Sequence, residues 1–213
     1  EMPMKAPSQV RKNHWESVYQ ARACDEVSWF KDDPRTSIKL ISSVHLDPTA
    51  WIMDVGGGDS KVADRLMELG FQNICVLDIS RKALERSKAR LGRKAKPVCW
   101  IESDILAYET DRRFDLWHDW AAFHFLTRKQ DIRKYARIAG KLIRPGGYLI
   151  LAAFSSEGPA KCSGLNVTRY CVESIQKVFE EDFVHIKSFR EDHKTPFQTK
   201  QNFLYTLFRK KVK

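Results

Sequence analysis

The sequence predicts an α/β fold, a mostly parallel sheet layered between helices, and three observations carry the prediction. Short apolar runs alternate with helical stretches along the chain. The first run, Trp51-Ile52-Met53, leads through the glycine-rich turn Asp54-Val55-Gly56-Gly57-Gly58-Asp59-Ser60 into a helix. Acidic residues then stand at the ends of four successive runs, at Asp54, Asp78, Asp104 and Asp119.

In order, the elements begin with a helix over Arg11–Arg22, where Trp15 and Tyr19 lie four apart on one face. A second helix covers Thr36–Ser43. The first strand and its glycine turn enter a helix over Lys61–Leu69, with Ala63, Leu66 and Leu69 on one side. A strand over Asn73–Leu77 closes on Asp78, and a helix over Arg81–Leu91 follows. A third strand, Pro97–Glu102, ends in Ser103-Asp104-Ile105. A fourth, Phe114–Trp117, ends in His118-Asp119 ahead of a helix over Arg128–Leu142. Arg144-Pro145-Gly146-Gly147 stops that helix and turns the chain into a fifth strand, Tyr148–Phe154. Beyond a long aperiodic loop come a helix over Val172–Phe179 and strands over Phe183–Phe189 and Asn202–Phe208. A loop through Lys194-Thr195-Pro196-Phe197 makes these two an antiparallel pair at the sheet edge.

The glycine turn narrows the ligand. Glycines allow positive φ and let a ligand approach the main chain, while the next helix presents free N–H groups. A dinucleotide fingerprint, G-x-G-x-x-G, needs a third glycine where this chain has Lys61. Asp54 ahead of the turn would repel a pyrophosphate. The pocket therefore suits a nucleoside without phosphates and with a cationic tail, and S-adenosyl-L-methionine (SAM) is such a ligand. Asp78 lies roughly 20 residues beyond the glycines, the spacing at which a carboxylate reaches ribose hydroxyls. Asp104 is placed to accept from the adenine amino group while Ile105 covers the ring.

The 213 residues suit one domain over 1–213, with an N-terminal helical lid segment (1–45) ahead of a core (46–213). No apolar run approaches the ~20 residues of a membrane span, and no signal-peptide pattern occurs. Glu1-Met2-Pro3-Met4 reads as foreign residues ahead of a native start at Met2 or Met4. Cys24, Cys75, Cys99, Cys162 and Cys171 form no C-x-x-C pair and leave one over, which points to a reducing, cytoplasmic setting. No His/Cys spacing resembles a ligand set, so no metal is expected. The net charge of +10 gathers in Arg81–Lys96, Arg128–Arg144 and Arg209–Lys213. Such blocks attract nucleic acid or acidic partners. They lack interleaved aromatics for base stacking, which favours plain solvated helix faces over nucleic-acid binding.

On these residues the chain, from about Asn13 to Phe208, resembles the class I, Rossmann-like SAM-dependent methyltransferases. The resemblance implies a three-layer sandwich whose seven-stranded sheet runs 3-2-1-4-5-7-6, with the last strand antiparallel. It implies Asp54, Gly56 and Gly58 at the methionine and ribose, Asp78 at the ribose hydroxyls, and Asp104 with Ile105 at the adenine, with Gly57 and Ile79 as further cofactor contacts. The product would be S-adenosyl-L-homocysteine (SAH). The opening His14-Trp15, Tyr19 and Trp29-Phe30 is similar to that of the elongation-factor lysine methyltransferases. It implies a lid in which Trp15, Tyr19 and Trp29 border the sulfonium, with packing on the core as the alternative. The run W-H-D-W-A-A-F-H-F-L, with K-C-S-G-L-N-V-T-R-Y, resembles bacterial methyltransferases of unassigned acceptor. Trp120 and Asn166 stand where those carry Arg and Pro.

Methyl transfer is an in-line displacement, with an acceptor lone pair held roughly 3 Å from the methyl. Candidate groups cluster past the fourth and fifth strands, at the mouth of an open α/β sheet. Asp119 is the first candidate, as a catalytic group and a further cofactor contact, with His118 or His124 as orienter or base. Cys162 reads as a small residue before a turn, and Arg169, if it points inward, would hold an anionic substrate. The expected function is methyl transfer from SAM to a small molecule. The alternatives are a protein lysine methyltransferase and a SAM-binding partner subunit without turnover.

Overall fold

A computed structural model describes residues 7–23, 26–29 and 32–212. Glu1 to Met4, Cys24, Phe30 and Lys213, all used above, lie outside the described residues. Helices α1 (Pro7–Ala21) and α2 (Arg35–Ser42) precede β1 (Trp51–Val55), α3 (Val62–Glu68), β2 (Asn73–Asp78) and α4 (Arg81–Leu91). Then come β3 (Cys99–Glu102), β4 (Phe114–Trp120), α5 (Lys129–Leu142) and β5 (Ile143–Phe154). A small hairpin of β6 (Lys161–Cys162) and β7 (Leu165–Asn166) leads to α6 (Val172–Phe179), β8 (Phe183–Lys194) and β9 (Lys200–Lys210).

Seven strands form one sheet in the order β3-β2-β1-β4-β5-β9-β8, and the hairpin stands apart. With the hairpin left aside, this is the expected 3-2-1-4-5-7-6. Strands β1 to β5 are parallel, while β9 runs antiparallel to β5 and β8 antiparallel to β9. The central strands read as continuous apolar runs because both faces are covered. On one face Met53, Trp117, Leu149 and Leu151 pack against Tyr135, Ile175 and Phe179 of α5 and α6. On the other, Ile52, Leu116, Ile150 and Ala152 meet Ile38, Ile41, Val62, Leu66 and Leu84 of α2, α3 and α4. Each fully buried Leu, Ile, Val, Phe or Met among them contributes about 1.5–3 kcal/mol. Three layers result.

Several boundaries move, and two of the shifts reposition the site. Strands β1 and β4 extend through Asp54 and through His118-Asp119, so these residues sit in the sheet rather than beyond it. Arg144-Pro145-Gly146-Gly147 is not a turn ahead of β5 but an irregularity inside its first half. The β4–β5 register slips there, between Phe114↔Ile143 and Leu116↔Tyr148, and Gly146 takes φ +79. The aperiodic loop holds the β6–β7 hairpin and a bridge between Ser155 and Tyr170. Strands β8 and β9 run longer than expected at both facing ends, which brings Gln201 into the sheet opposite His193. Among the described residues, no helix is long and apolar enough to cross a membrane.

Candidate active site

The ends of β1 to β5 and of β9 open on one cleft beneath the N-terminal segment. At its first end the chain passes so near its neighbours that the turn tolerates only glycine. Gly56 takes φ +67, and a Cβ there would stand 2.5 Å from Cβ of Ala122. A Cβ on Gly57 would collide with Oδ2 of Asp54. Gly58 lies behind this wall. Its N–H donates to Oδ2 of Asp78 at 3.0 Å and its carbonyl accepts from the Ser87 hydroxyl. It fastens Asp78 and α4 and, unlike Gly56 and Gly57, does not line the cleft.

The three acidic landmarks here differ in what they have left to offer. Asp54 accepts the Nδ1–H of His118 on Oδ1 at 2.7 Å, while its buried Oδ2 has no partner among the described residues. Asp78 accepts from Gly58 on one oxygen and from the N–H of Ser80 on the other, at 2.8 Å. Burial pushes the Asp78 carboxyl up to about 6, against the pull of those two donors. Asp104 accepts the N–H of Leu106 at 3.0 Å and pairs its other oxygen with Arg11 of α1. Ile79 and Ile105 give this end apolar walls.

Helix α1 crosses above these groups. Lys12 pairs with Glu102, and Arg86 of α4 donates to the carbonyls of Tyr19 and Arg22. The Trp15 ring meets Trp29 at 5.6 Å and Phe125 at 4.8 Å, and Tyr19 meets Trp29 at 6.1 Å. Trp15, Tyr19 and Trp29 all line the cleft, and buried Tyr19 also packs as core.

The second end is built from Trp120, His124, Phe125, Phe154, Gln201 and Phe203. Trp120 stacks on Phe203 at 5.0 Å. Ala121, at φ +66, bends the chain sharply after β4. His124 is wholly buried and accepts the backbone N–H of Phe154 on Nδ1 at 3.2 Å. A neutral imidazole whose Nδ1 accepts must carry its proton on Nε2, and burial drives the His124 pKa down to about 3. His124 is therefore a donor, not a base. His118 has both nitrogens engaged, with Asp54 and with the Ser37 hydroxyl at 2.9 Å.

Asp119, the first catalytic candidate, turns away from the cleft. Oδ1 accepts the N–H groups of Ala122 and Phe123, each at 3.0 Å, and Oδ2 accepts the Tyr135 hydroxyl at 2.7 Å. Strand alternation is the cause: His118 faces α2, so Asp119 faces α5. It holds the turn that presents Ala121 to Phe125. Arg169 bonds the carbonyls of Ser156 and Gly158 and likewise stays out of the cleft. Cys162 lines it as a thiol whose pKa burial raises. Arg11, Ser37, Gln201 and Phe203 line the cleft without having been singled out from the sequence, as does Lys61, which was read there only as the missing third glycine. For Gln201 a signal existed: it alternates with Phe203 and Tyr205 along a strand read too short.

The residues at the first end fit SAM. An orphaned carboxylate oxygen beside a close-passing main chain suits an ammonium, Asp78 suits hydroxyls, and the isoleucines suit a ring. The same oxygen would repel a pyrophosphate. Fold and cleft together define the architecture of the class I SAM-dependent methyltransferases. Residues 52–147 match the family model described as "Methyltransferase domain". A mouse relative, the eEF1A lysine and N-terminal methyltransferase, is 24% identical over 99 residues, 46% of this chain and 14% of that protein. Nodulation protein S of Rhizobium tropici is 27% identical over 126 residues, 58% of this chain and 50% of that protein. The chain thus matches half or less of these curated relatives. The structure of the 1,6-didemethyltoxoflavin-N1-methyltransferase of Burkholderia thailandensis, with 1,6-didemethyltoxoflavin and SAH bound, superposes with a TM-score of 0.74 at 17% identity. That superposition covers 100% of this chain and 93% of the other.

Proposed function

We propose that this chain is an active enzyme that transfers the methyl group of SAM to a small-molecule acceptor. The orphaned Oδ2 of Asp54 beside the glycine turn carries the reading. When bound, SAM would supply a methyl on a sulfonium: an acceptor lone pair bonds to the methyl carbon in line with the breaking C–S bond, whose electron pair returns to sulfur. Asp54 holds the ammonium of the cofactor's methionine, and Asp78 its ribose hydroxyls. The segment 1–45 acts as a lid, with α1 fastened through Arg11, Lys12 and Arg86. The free thiols of Cys75 and Cys99, on paired strands, agree with a reducing setting such as the cytoplasm.

A small molecule is favoured over a lysine by the chemistry of the second end. A lysine ammonium must lose a proton before it attacks, yet His118 and His124 have no basic nitrogen to spare and Asp119 faces away. An acceptor whose lone pair is already free needs no base. The toxoflavin-type relative acts on a small molecule, in line with this reading. The lysine reading keeps one observation, the aromatic face of Trp15, Trp29 and Phe125, which suits a cationic side chain.

Incubation with methyl-tritiated SAM and a cell lysate, split into protein, RNA and small-molecule fractions, tests the choice. Label in the small-molecule fraction is the expected result. Label in protein would favour the lysine reading. Binding of SAH without label anywhere would favour a partner subunit without turnover.

A further inference from the structure

Two polar atoms at the second end of the cleft are buried without a partner among the described residues: Nε2 of His124 and Oε1 of Gln201. Their chemistry is complementary. The bond from the Phe154 N–H to Nδ1 fixes the His124 proton on Nε2, so that atom only donates. The amide oxygen of Gln201 only accepts. A buried donor or acceptor without a partner is costly, and such groups persist where a ligand completes them.

Their placement fits one ligand. Phe154 and Phe203 are register partners on β5 and β9, with rings 4.8 Å apart. The His124 ring lies 4.3 Å from Phe154 and 6.2 Å from Phe203. Gln201 sits two positions before Phe203, on the same side of β9. The two polar groups therefore flank one aromatic pair, with Trp120 stacked on Phe203 and Phe125 beside His124. Aromatic walls of this kind take flat π systems, and a few fixed polar groups then set their orientation. Both polar groups are neutral, so neither favours a charged ligand.

We propose that this end of the cleft binds a planar, neutral heteroaromatic molecule that accepts a hydrogen bond from Nε2–H of His124 and donates one to Oε1 of Gln201. This acceptor class rests on the methyltransferase reading, in which SAM or SAH fills the first end.

Calorimetry in two stages tests it with defined probes. SAH is titrated first. With SAH saturating, 2-quinolone, which has a ring carbonyl and an N–H, is compared with 1-methyl-2-quinolone, which keeps the carbonyl and lacks the donor. We expect 2-quinolone to bind at least about tenfold more tightly than its N-methyl analogue. Gln201→Met, close in shape, should abolish that preference and leave SAH affinity unchanged. His124→Phe should weaken 2-quinolone by about tenfold or more, again without effect on SAH. If that variant does not fold, the Gln201→Met comparison decides alone. The proposal is overturned if SAH binds and 2-quinolone shows no preference over its analogue, or if the preference survives Gln201→Met. Failure of SAH itself to bind would overturn the methyltransferase reading beneath it.

Discussion

Asp54 on β1 and His118 on β4 are register partners of adjacent parallel strands, and their Oδ1 and Nδ1 atoms lie 2.7 Å apart, shielded from water. The bond orients the carboxylate, committing one oxygen to the sheet and leaving the other at the glycine turn. Ser37 of α2 meets the far nitrogen of the same imidazole, so the helix, the histidine and the acid form one chain. His118 acts here by positioning Asp54.

Replacing His118 with Phe should therefore cost stability as well as cofactor affinity. The change strands a buried carboxylate, which costs about 3–5 kcal/mol when a partner is removed. Urea denaturation should show that loss, together with weaker SAH binding. A fully stable variant with normal SAH affinity and slow turnover would instead make His118 a base.

Asp119→Asn should lower stability by about 1–3 kcal/mol and leave SAH affinity unchanged. Tyr135 donates to Asp119 and accepts from Nε1 of Trp117 at 3.0 Å, so an amide nitrogen facing it has no role. The loss should shrink in a Tyr135→Phe background, which a double-mutant cycle measures. Turnover lost at full stability would return Asp119 to catalysis.

His124 gives a pH signature. Its folded pKa of about 3 lies below the ordinary 6.5, so the unfolded chain takes up a proton first as pH falls. Its contribution is full above about 6.5 and is lost as pH drops toward about 3, at most ~1.4 kcal/mol per pH unit. The stability difference between the wild type and His124→Phe should therefore shrink or change sign across that window. A difference that does not vary with pH would contradict the buried neutral imidazole.

Asp78 carries two effects of opposite direction. Its carboxyl, raised to about 6 from 3.8, binds a proton more tightly when folded, so its share of stability is lost as pH rises through about 6. Cofactor binding needs the carboxylate, so SAH affinity should fall as pH drops from 7.5 to 5, by roughly tenfold. In Asp78→Asn the affinity should be low at pH 7.5 and flat below it. Calorimetry across that range reads both.

The parallel sheet was legible because glycine turn, apolar runs and strand-end acids recur along the chain, and its strand order followed from the resemblance to the class I SAM-dependent methyltransferases. The residues of the first end were legible for the same reason: Asp54, Asp78 and Asp104 stand at or just beyond the ends of β1, β2 and β3. Those of the second end were not. The positions of His118 and Asp119 depend on where β4 stops, and a strand three residues longer than expected turned Asp119 toward α5. Gln201 reaches the cleft only because β9 folds back beside β5, a contact between distant segments. Arg11 of α1 meets Asp104 from 93 residues away in the chain, and nothing local to Arg11 marks that target.

On the methyltransferase reading the cleft between the glycine turn and α1 binds the methyl donor. Titration of SAH into the intact chain, followed by calorimetry and repeated with NAD, tests it most directly. We expect one SAH per chain, weakened about tenfold or more by Asp78→Ala in a protein that remains folded, and no heat from NAD. No SAH binding, unchanged affinity in folded Asp78→Ala, or binding of NAD in its place would contradict the account.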